Sequence, residues 1–271
     1  MMKEYLKSIL ILLLISTFTL FNACTTVPLT GRKQMHLLPE SQMVSMSLTS
    51  YSEFISTHKL SASAVNSTMV KRAGKNISTA VAQYLASVGK ADLVKDYAWE
   101  FNLVEDAQPN AWCMPGGKVV VYTGILPYTL TEAGLAVVMG HEIAHAVARH
   151  GNERMSQGML VQFGGMALDV ALQSKPEQTK AIFMQAYGVG SQVGMLLPYS
   201  RIHESEADKL GLVFMAMAGY DPNEAITFWE RMAKSGGQKP PEILSTHPAD
   251  ETRIADLKAY LPEALKFYKK K

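Results

Sequence analysis

Cysteine is nearly absent: the chain of 271 residues has two. One of them, Cys24, sits where an export signal ends, which leaves Cys113 alone and excludes an intrachain disulfide. Stability must then come from core packing rather than from cross-links. Charge of one sign is not in excess either, since charged residues make up 18 %, the formal net charge is +2 and the signs are interspersed. That removes the basic stripe a nucleic-acid partner would need, and Lys269 to Lys271 read as a solvated end. No internal repeat or low-complexity linker divides the chain, so a single core is expected. A long membrane span is missing as well: the apolar segment from Gly158 to Leu197 is interrupted by Gln162, Asp169 and Lys175-Pro176-Glu177. Hydrophobic residues nevertheless reach 48 %, a globular composition.

Lys3 and Lys7 precede an apolar run from Ile9 to Ala23 that is short for a bilayer and carries Ser16, Thr17 and Thr19. This is the pattern of a signal-peptide hydrophobic region. It ends at Phe21-Asn22-Ala23-Cys24, which resembles a lipobox; Ala23 and Cys24 fit, whereas Phe21 and Asn22 depart from it. Residues 1–23 are therefore expected to be a lipoprotein signal peptide, 24–38 a lipidated tether attached through Cys24, and 39–271 the folded domain. Several acyl chains at about 0.8 kcal/mol per buried methylene anchor a protein stably. Thr25, which is not Asp, favours the outer membrane, so the expected location is the periplasmic face of a bacterial envelope membrane.

Beyond the tether, Pro39-Glu40-Ser41-Gln42 opens a helix, and Val65 to Val88 places Val70, Ala73, Ile77, Val81 and Leu85 at helical spacing. From Tyr97 the period becomes two, with Tyr97, Trp99, Phe101 and Leu103 on one face. Asn110 to Met114 and the β-branched run Lys118 to Thr123, joined by Pro115-Gly116-Gly117, complete a small antiparallel sheet. Everything after Thr129 reads helical. The fold class is thus α+β, mainly helical, in one domain.

The chemistry lies in His141-Glu142-Ile143-Ala144-His145, inside a helical run from Leu130 to His150. Residues i and i+4 share a helix face, so both imidazoles reach one cation, and zinc with Zn–N bonds of about 2.0–2.1 Å suits them. Glu142, rotated by about 100°, reaches a water held by the ion rather than the ion. A catalytic site wants a third protein ligand and one open position. Glu204 and Asp208 form E-x-x-x-D on one helical face, with Glu206 about 200° away from Glu204. Glu204 is the expected ligand, because Asp208, one turn on, is placed to accept the Nδ1–H of a ligating histidine.

These motifs resemble the gluzincin peptidase family that includes HtpX, the CAAX prenyl endopeptidase, mitochondrial Oma and the periplasmic lipoprotein peptidases LoiP and BepA. The matching stretches are Val27 to Arg32, Asn110-Ala111-Trp112, Pro115-Gly116-Gly117, His141 to His150, Ser200-Arg201, Glu204 to Asp208, Gly211, Thr246-His247-Pro248 and Arg253. The resemblance implies a zincin-like domain with one Zn2+ and the first Glu of E-x-x-x-D as third ligand. It implies that His247 lies near the open position, either stabilising an oxyanion or occupying the metal at rest, with Arg253 in support. It also implies that the Asn110 to Thr123 segment is an edge strand on which a polypeptide substrate lies extended. Asn110, Gly116 and Gly117 are the candidates for holding that peptide.

Other residues read more plainly. His150 does not fit a three-histidine signature and reads as a helix-end residue. His203 reads as structural or solvent-exposed, Cys113 as a small buried hydrophobe, and Met155, Met159, Met166, Met184 and Met195 as core filler or as an adaptable peptide-binding surface. The expected function is endoproteolysis of unfolded or misassembled envelope proteins. The competing readings are a chaperone or assembly factor for outer-membrane proteins with weak or repressed proteolysis, and a closed structural-zinc lipoprotein.

Overall fold

The computed structural model describes residues 24–235, 247 and 251–269. The signal segment 1–23, Thr246 and Pro248 lie outside the described residues.

Helix α1 (Glu40–Thr57) is followed by α2 (Ala64–Ser87). The five apolar residues at helical spacing, Val70, Ala73, Ile77, Val81 and Leu85, are all fully buried, so the periodicity marks the face of α2 turned to the core. Ser63 caps α2, its hydroxyl accepting from the Asn66 N–H.

The strands are β3 (Glu100–Val104), β4 (Ala111–Met114) and β5 (Lys118–Tyr122), preceded by the two short strands β1 (Cys24–Thr26) and β2 (Lys33–Met35). The α+β class, mainly helical, is as expected from sequence. Within it the three-stranded sheet has the order β3-β5-β4, and one pairing differs from the expected antiparallel sheet. The Pro115-Gly116-Gly117 turn folds β5 back antiparallel on β4, and β5 then inserts beside β3 in parallel register, Glu100 opposite Lys118 and Val104 opposite Tyr122. Alternation within a strand signals burial on one face but carries no information about partner direction. Gly116 and Gly117 adopt φ of +88° and +83°, as the tight turn requires. Any Cβ on Gly117 would meet the Trp99 ring at 2.9 Å.

The segment read as an extended tether is a hairpin. β1 pairs antiparallel with β2, Val27 is buried in the main core, and the backbone N–H of Leu37 donates to Ser156.

The centre of the molecule is α4 (Glu132–Val147), capped by Thr131 and buried from Gly134 to Val147. A helix apolar on nearly every side belongs in the middle of a domain, and here α2, the sheet and the later helices surround it. At Arg149 the chain takes a left-handed turn, φ 58° and ψ 30°, before α5 (His150–Ala171) begins. The run expected from Leu130 to His150 is therefore two helices with a sharp break. α6 (Glu177–Ser191) and α7 (Leu197–Met217) follow, then α8 (Glu224–Ser235) and α9 (Glu251–Leu265); α3 is a single turn, Leu126–Thr129.

The outer parts of α5 and α6 expose Phe163, Met166, Val170, Ile182, Phe183 and Val189. None of the five methionines read as core filler is buried: four sit on these outer helices, and Met195 lies in the turn that follows α6. Hydrophobic spacing identifies a helix face but does not say what covers it. No described helix is long and apolar enough to cross a membrane.

α4 and α7 cross where Gly140 meets Gly211. A Cβ on Gly211 would stand 3.0 Å from the His141 backbone nitrogen, and one on Gly140 would stand 3.1 Å from the Gly211 carbonyl oxygen. Gly211→Val should therefore cost about 1–3 kcal/mol by overpacking. Gly188→Ala, at a helical site with nothing within 4 Å, should stabilise by roughly 0.5–1 kcal/mol. Thermal melts of the two variants check the contrast, and equal effects would contradict it.

Candidate metal centre

The close crossing of α4 and α7 sets His141 and His145 against Glu204. His141 Nε2 and His145 Nε2 are 3.1 Å apart. Glu204 Oε2 lies 3.3 Å from His141 Nε2, and Glu204 Oε1 lies 3.3 Å from His145 Nε2. His247 Nδ1 is 3.1 Å from His141 Nε2 and 2.8 Å from Glu204 Oε2. One ligand atom from each of these four residues falls within 4.8 Å of all the others.

Spacing decides what the group suits. Four donors at the corners of a tetrahedron around an ion, with bonds of about 2.0–2.1 Å, stand about 3.3 Å apart. The measured separations lie close to that edge. Imidazole nitrogens and one carboxylate oxygen make a donor set fit for a first-row divalent ion. His247 brings a fourth donor to the group, whereas an open catalytic site keeps one position for water.

Behind the donors, Asp208 Oδ1 lies 2.9 Å from His141 Nδ1, the arrangement that turns the opposite nitrogen toward an ion. Arg253 grips Asp208 through two bonds of 2.8 and 2.7 Å and stacks on the Trp229 ring at 3.6 Å. Its guanidinium reaches Glu204 only at 3.5 Å. Arg253 thus holds Asp208 and also comes within 3.3 Å of His141 Nδ1.

Charges in the site are mutually dependent. Burial works against His141 carrying a proton, yet hydrogen bonds to Asp208 and Glu204 push it up to about 9. Burial drives His145 well below its usual value. Glu204 would be raised by burial, but hydrogen bonds from His141, His145 and His247 hold it far below the usual carboxylate range.

Glu142, also on α4, is 5 % exposed. Its Oε1 has no hydrogen-bond partner among the described residues, and His247 Nε2 stands 3.5 Å from it. A buried carboxylate oxygen left unpaired beside a metal-type donor set is costly, and a water between it and the ion would satisfy it.

β4 forms one edge of the sheet and packs against α4. The bond from Tyr122 N–H to the Asn110 carbonyl sets the register. The backbone of Trp112 and Met114 thereby faces β5, and that of Ala111 and Cys113 faces outward. Asn110 uses its side-chain oxygen to accept from the Ala111 N–H. The carbonyls of Gly116 and Gly117 accept from Ala98 and Glu100, and the Gly117 N–H donates to Met114. These two glycines build the turn, and the outward backbone groups belong to Ala111 and Cys113 on β4. Cys113, on the same strand, is half-buried, and burial with the nearby Glu142 charge pushes its thiol well up, so it stays an unreactive thiol.

Residues that sequence reasoning placed outside the site form a layer behind His145. His150 is fully buried, with Nδ1 2.9 Å from His145 Nδ1 and Nε2 3.2 Å from Glu206 Oε2. On a continuous helix, five residues correspond to about 140° off the His145 face; the left-handed Arg149 brings the ring back. Burial holds His150 down to about 4. His203, also fully buried, contacts Glu153 Oε2 at 2.7 Å. Arg32, from the N-terminal hairpin, bridges Glu153 and Glu206. Only local signals were available in the sequence, and these partners are 121 and 174 residues from Arg32.

Burial raises the Glu153 carboxyl, but hydrogen bonds from Arg32 and His203 outweigh it and hold Glu153 at about 2 against an ordinary 4.5. A depressed folded-state value stabilises the fold above the unfolded value and is lost as pH falls through the folded one. The gap in melting temperature between wild type and Glu153→Gln should therefore be widest above pH 4.5 and close as pH falls toward 2. Melts over that range check it, and a pH-independent gap would contradict it.

Residues 73–261 match the profile of Peptidase family M48. The chain is 39 % identical over 194 residues to the mitochondrial metalloendopeptidase OMA1 of Schizosaccharomyces pombe, covering 69 % of this chain and 53 % of that one. It is 31 % identical over 249 residues to metalloendopeptidase OMA1 of Homo sapiens, covering 88 % and 46 %. With the beta-barrel assembly-enhancing protease of Escherichia coli K12 it shares 31 % identity over 185 residues, covering 64 % and 37 %. The chain spans about half or less of the length of these curated relatives. The four-donor cluster lies within the matched segment, and the chain belongs to Peptidase family M48.

Proposed function

We propose that this chain is a zinc-dependent endopeptidase acting on unfolded or misassembled envelope proteins. The observation that carries the reading is the unpaired Glu142 carboxylate oxygen beside the His141, His145, Glu204 and His247 donor set. A site built only for rigidity has no use for such a group. His141, His145 and Glu204 are the lasting ligands in this reading, and Asp208 orients His141. Zinc, when bound, supplies a Lewis acid that polarises the scissile carbonyl and makes a water acidic near neutrality.

Glu142 takes the proton of the attacking water and delivers it to the leaving amine. The outward N–H and C=O of Cys113 and the C=O of Ala111 extend the β4 edge with the substrate backbone, which explains a preference for unfolded chains. His247 closes the site at rest and must withdraw for a substrate to enter. That closed state also favours the second reading, in which the protein holds outer-membrane proteins and its proteolysis is repressed.

The cellular setting rests on separate support. The lipobox at Cys24 points to a lipid anchor in the bacterial envelope, and one relative is named for enhancing β-barrel assembly. Other relatives are named as mitochondrial, so the relatives do not decide the location. The apolar outer face of α5 and α6 suits a protein held against a lipid surface.

Purified protein should degrade casein or an unfolded outer-membrane protein. Glu142→Gln should lower the rate by at least about 10²-fold while zinc content stays at one per chain, and His247→Ala should raise the basal rate. Equal cleavage by wild type and Glu142→Gln would dismiss the assigned base, and zinc-loaded wild type without turnover would favour the holding function.

A further inference from the structure

Resting on the reading of His141, His145 and Glu204 as metal ligands, we propose that Arg32 is a positioning residue for the metal centre. By clamping Glu206 it sets the tautomer of His150 and, through it, the ring of His145. Arg32 and Thr30 lie outside the segment 73–261 that matches the family profile.

The path can be followed bond by bond. Arg32 Nε donates to both oxygens of Glu206 at 3.0 and 3.1 Å, and Nη2 donates to Glu206 Oε2 at 2.9 Å. Nη1 and Nη2 also donate to the two oxygens of Glu153 at 2.8 and 2.6 Å. Thr30 donates its hydroxyl to Glu206 Oε1 at 2.6 Å. Glu206 meets His150 Nε2, His150 Nδ1 meets His145 Nδ1, and His145 Nε2 belongs to the donor set.

With His150 and His145 both neutral, the contacts along this path fix where each proton sits. A carboxylate only accepts, so the contact of 3.2 Å to Glu206 requires the proton of His150 on Nε2. Neutral His150 then offers a lone pair at Nδ1. The 2.9 Å contact between the two Nδ1 atoms requires one donor and one acceptor, so His145 carries its proton on Nδ1. Its Nε2 lone pair is thereby left for the ion. If Glu206 rotated away, His150 could place its proton on Nδ1, His145 would have to accept, and the His145 proton would move to Nε2, where it blocks coordination.

Glu206 has a reason to move unless it is held. Glu153 and Glu206 are 2 % and 4 % exposed and share one guanidinium, and two buried carboxylates without that cation repel each other. Arg matches this task and Lys does not, since the planar fork serves two carboxylates at once. A ligating histidine usually leans on a carboxylate or carbonyl directly. Here an intervening imidazole, stacked on His203 with ring centroids 4.3 Å apart, extends the support to a hairpin that begins at Cys24. The point of expected anchoring and the metal centre are thus joined by one hydrogen-bonded path.

The test measures zinc affinity of the full chain by competition with a chromogenic chelator, together with the visible spectrum of the cobalt(II)-substituted protein. Arg32→Gln should weaken zinc binding on the order of 10–100-fold and shift the cobalt bands. Arg32→Lys should fall between it and wild type. Val27→Ala, which loosens the same hairpin through its buried side chain, should lower the melting temperature without changing zinc affinity or the spectrum. Unaltered affinity and spectrum in folded Arg32→Gln would overturn the proposal. If Arg32→Gln does not fold, Thr30→Val and Arg32→Lys carry the same test, and zinc binding equal to wild type in both would overturn it. Wild type that binds no zinc would instead sink the metal-site reading itself.

Discussion

Two helices that touch at glycines set the terms for everything else. Where α4 and α7 cross at Gly140 and Gly211, no side chain separates the backbones. His141 and His145 on one helix therefore stand directly against Glu204 and Asp208 on the other. Even a methyl group at the crossing would force the facing backbone to give by a few tenths of an ångström. The helical period arranges the partners within each helix, and the crossing brings the two sets together.

That closeness concentrates acids in the interior. Glu142, Glu153, Glu206 and Asp208 are all buried, against the buried cation Arg253 and the partly buried Arg32. Desolvating so much negative charge is unfavourable unless each group is paired and hydrogen-bonded. Arg253 balances Asp208, and Arg32 balances Glu153 and Glu206. Glu204 and Glu142 remain for the centre, where the donor geometry calls for a cation. The layer behind the site and the site itself are therefore one electrostatic arrangement, in which each arginine holds a carboxylate that orients a histidine.

What could be seen in the sequence followed from local periodicity. The pairs His141/His145 and Glu204/Asp208 are set by the helical repeat alone, and their meeting in space adds the crossing at the glycines. The core face of α2 was equally legible, from Val70 to Leu85. Long-range features were not. The parallel pairing of β3 with β5 depends on a strand inserted later in the chain. The return of His150 toward His145 depends on a left-handed Arg149, a conformation that no local residue signals. Arg32 was visible only as part of a short stretch near the N-terminus, and its partners belong to helices far along the chain. The five methionines were placed in the core because apolar character says nothing about whether the face it defines is covered.

Anomalous diffraction at the zinc edge, on crystals of the zinc-loaded protein, tests the central claim most directly. It should show one peak within about 2.0–2.2 Å of Nε2 of His141, Nε2 of His145 and a carboxylate oxygen of Glu204. A peak elsewhere, or an ion bound with Glu204 turned away from it, would contradict the account.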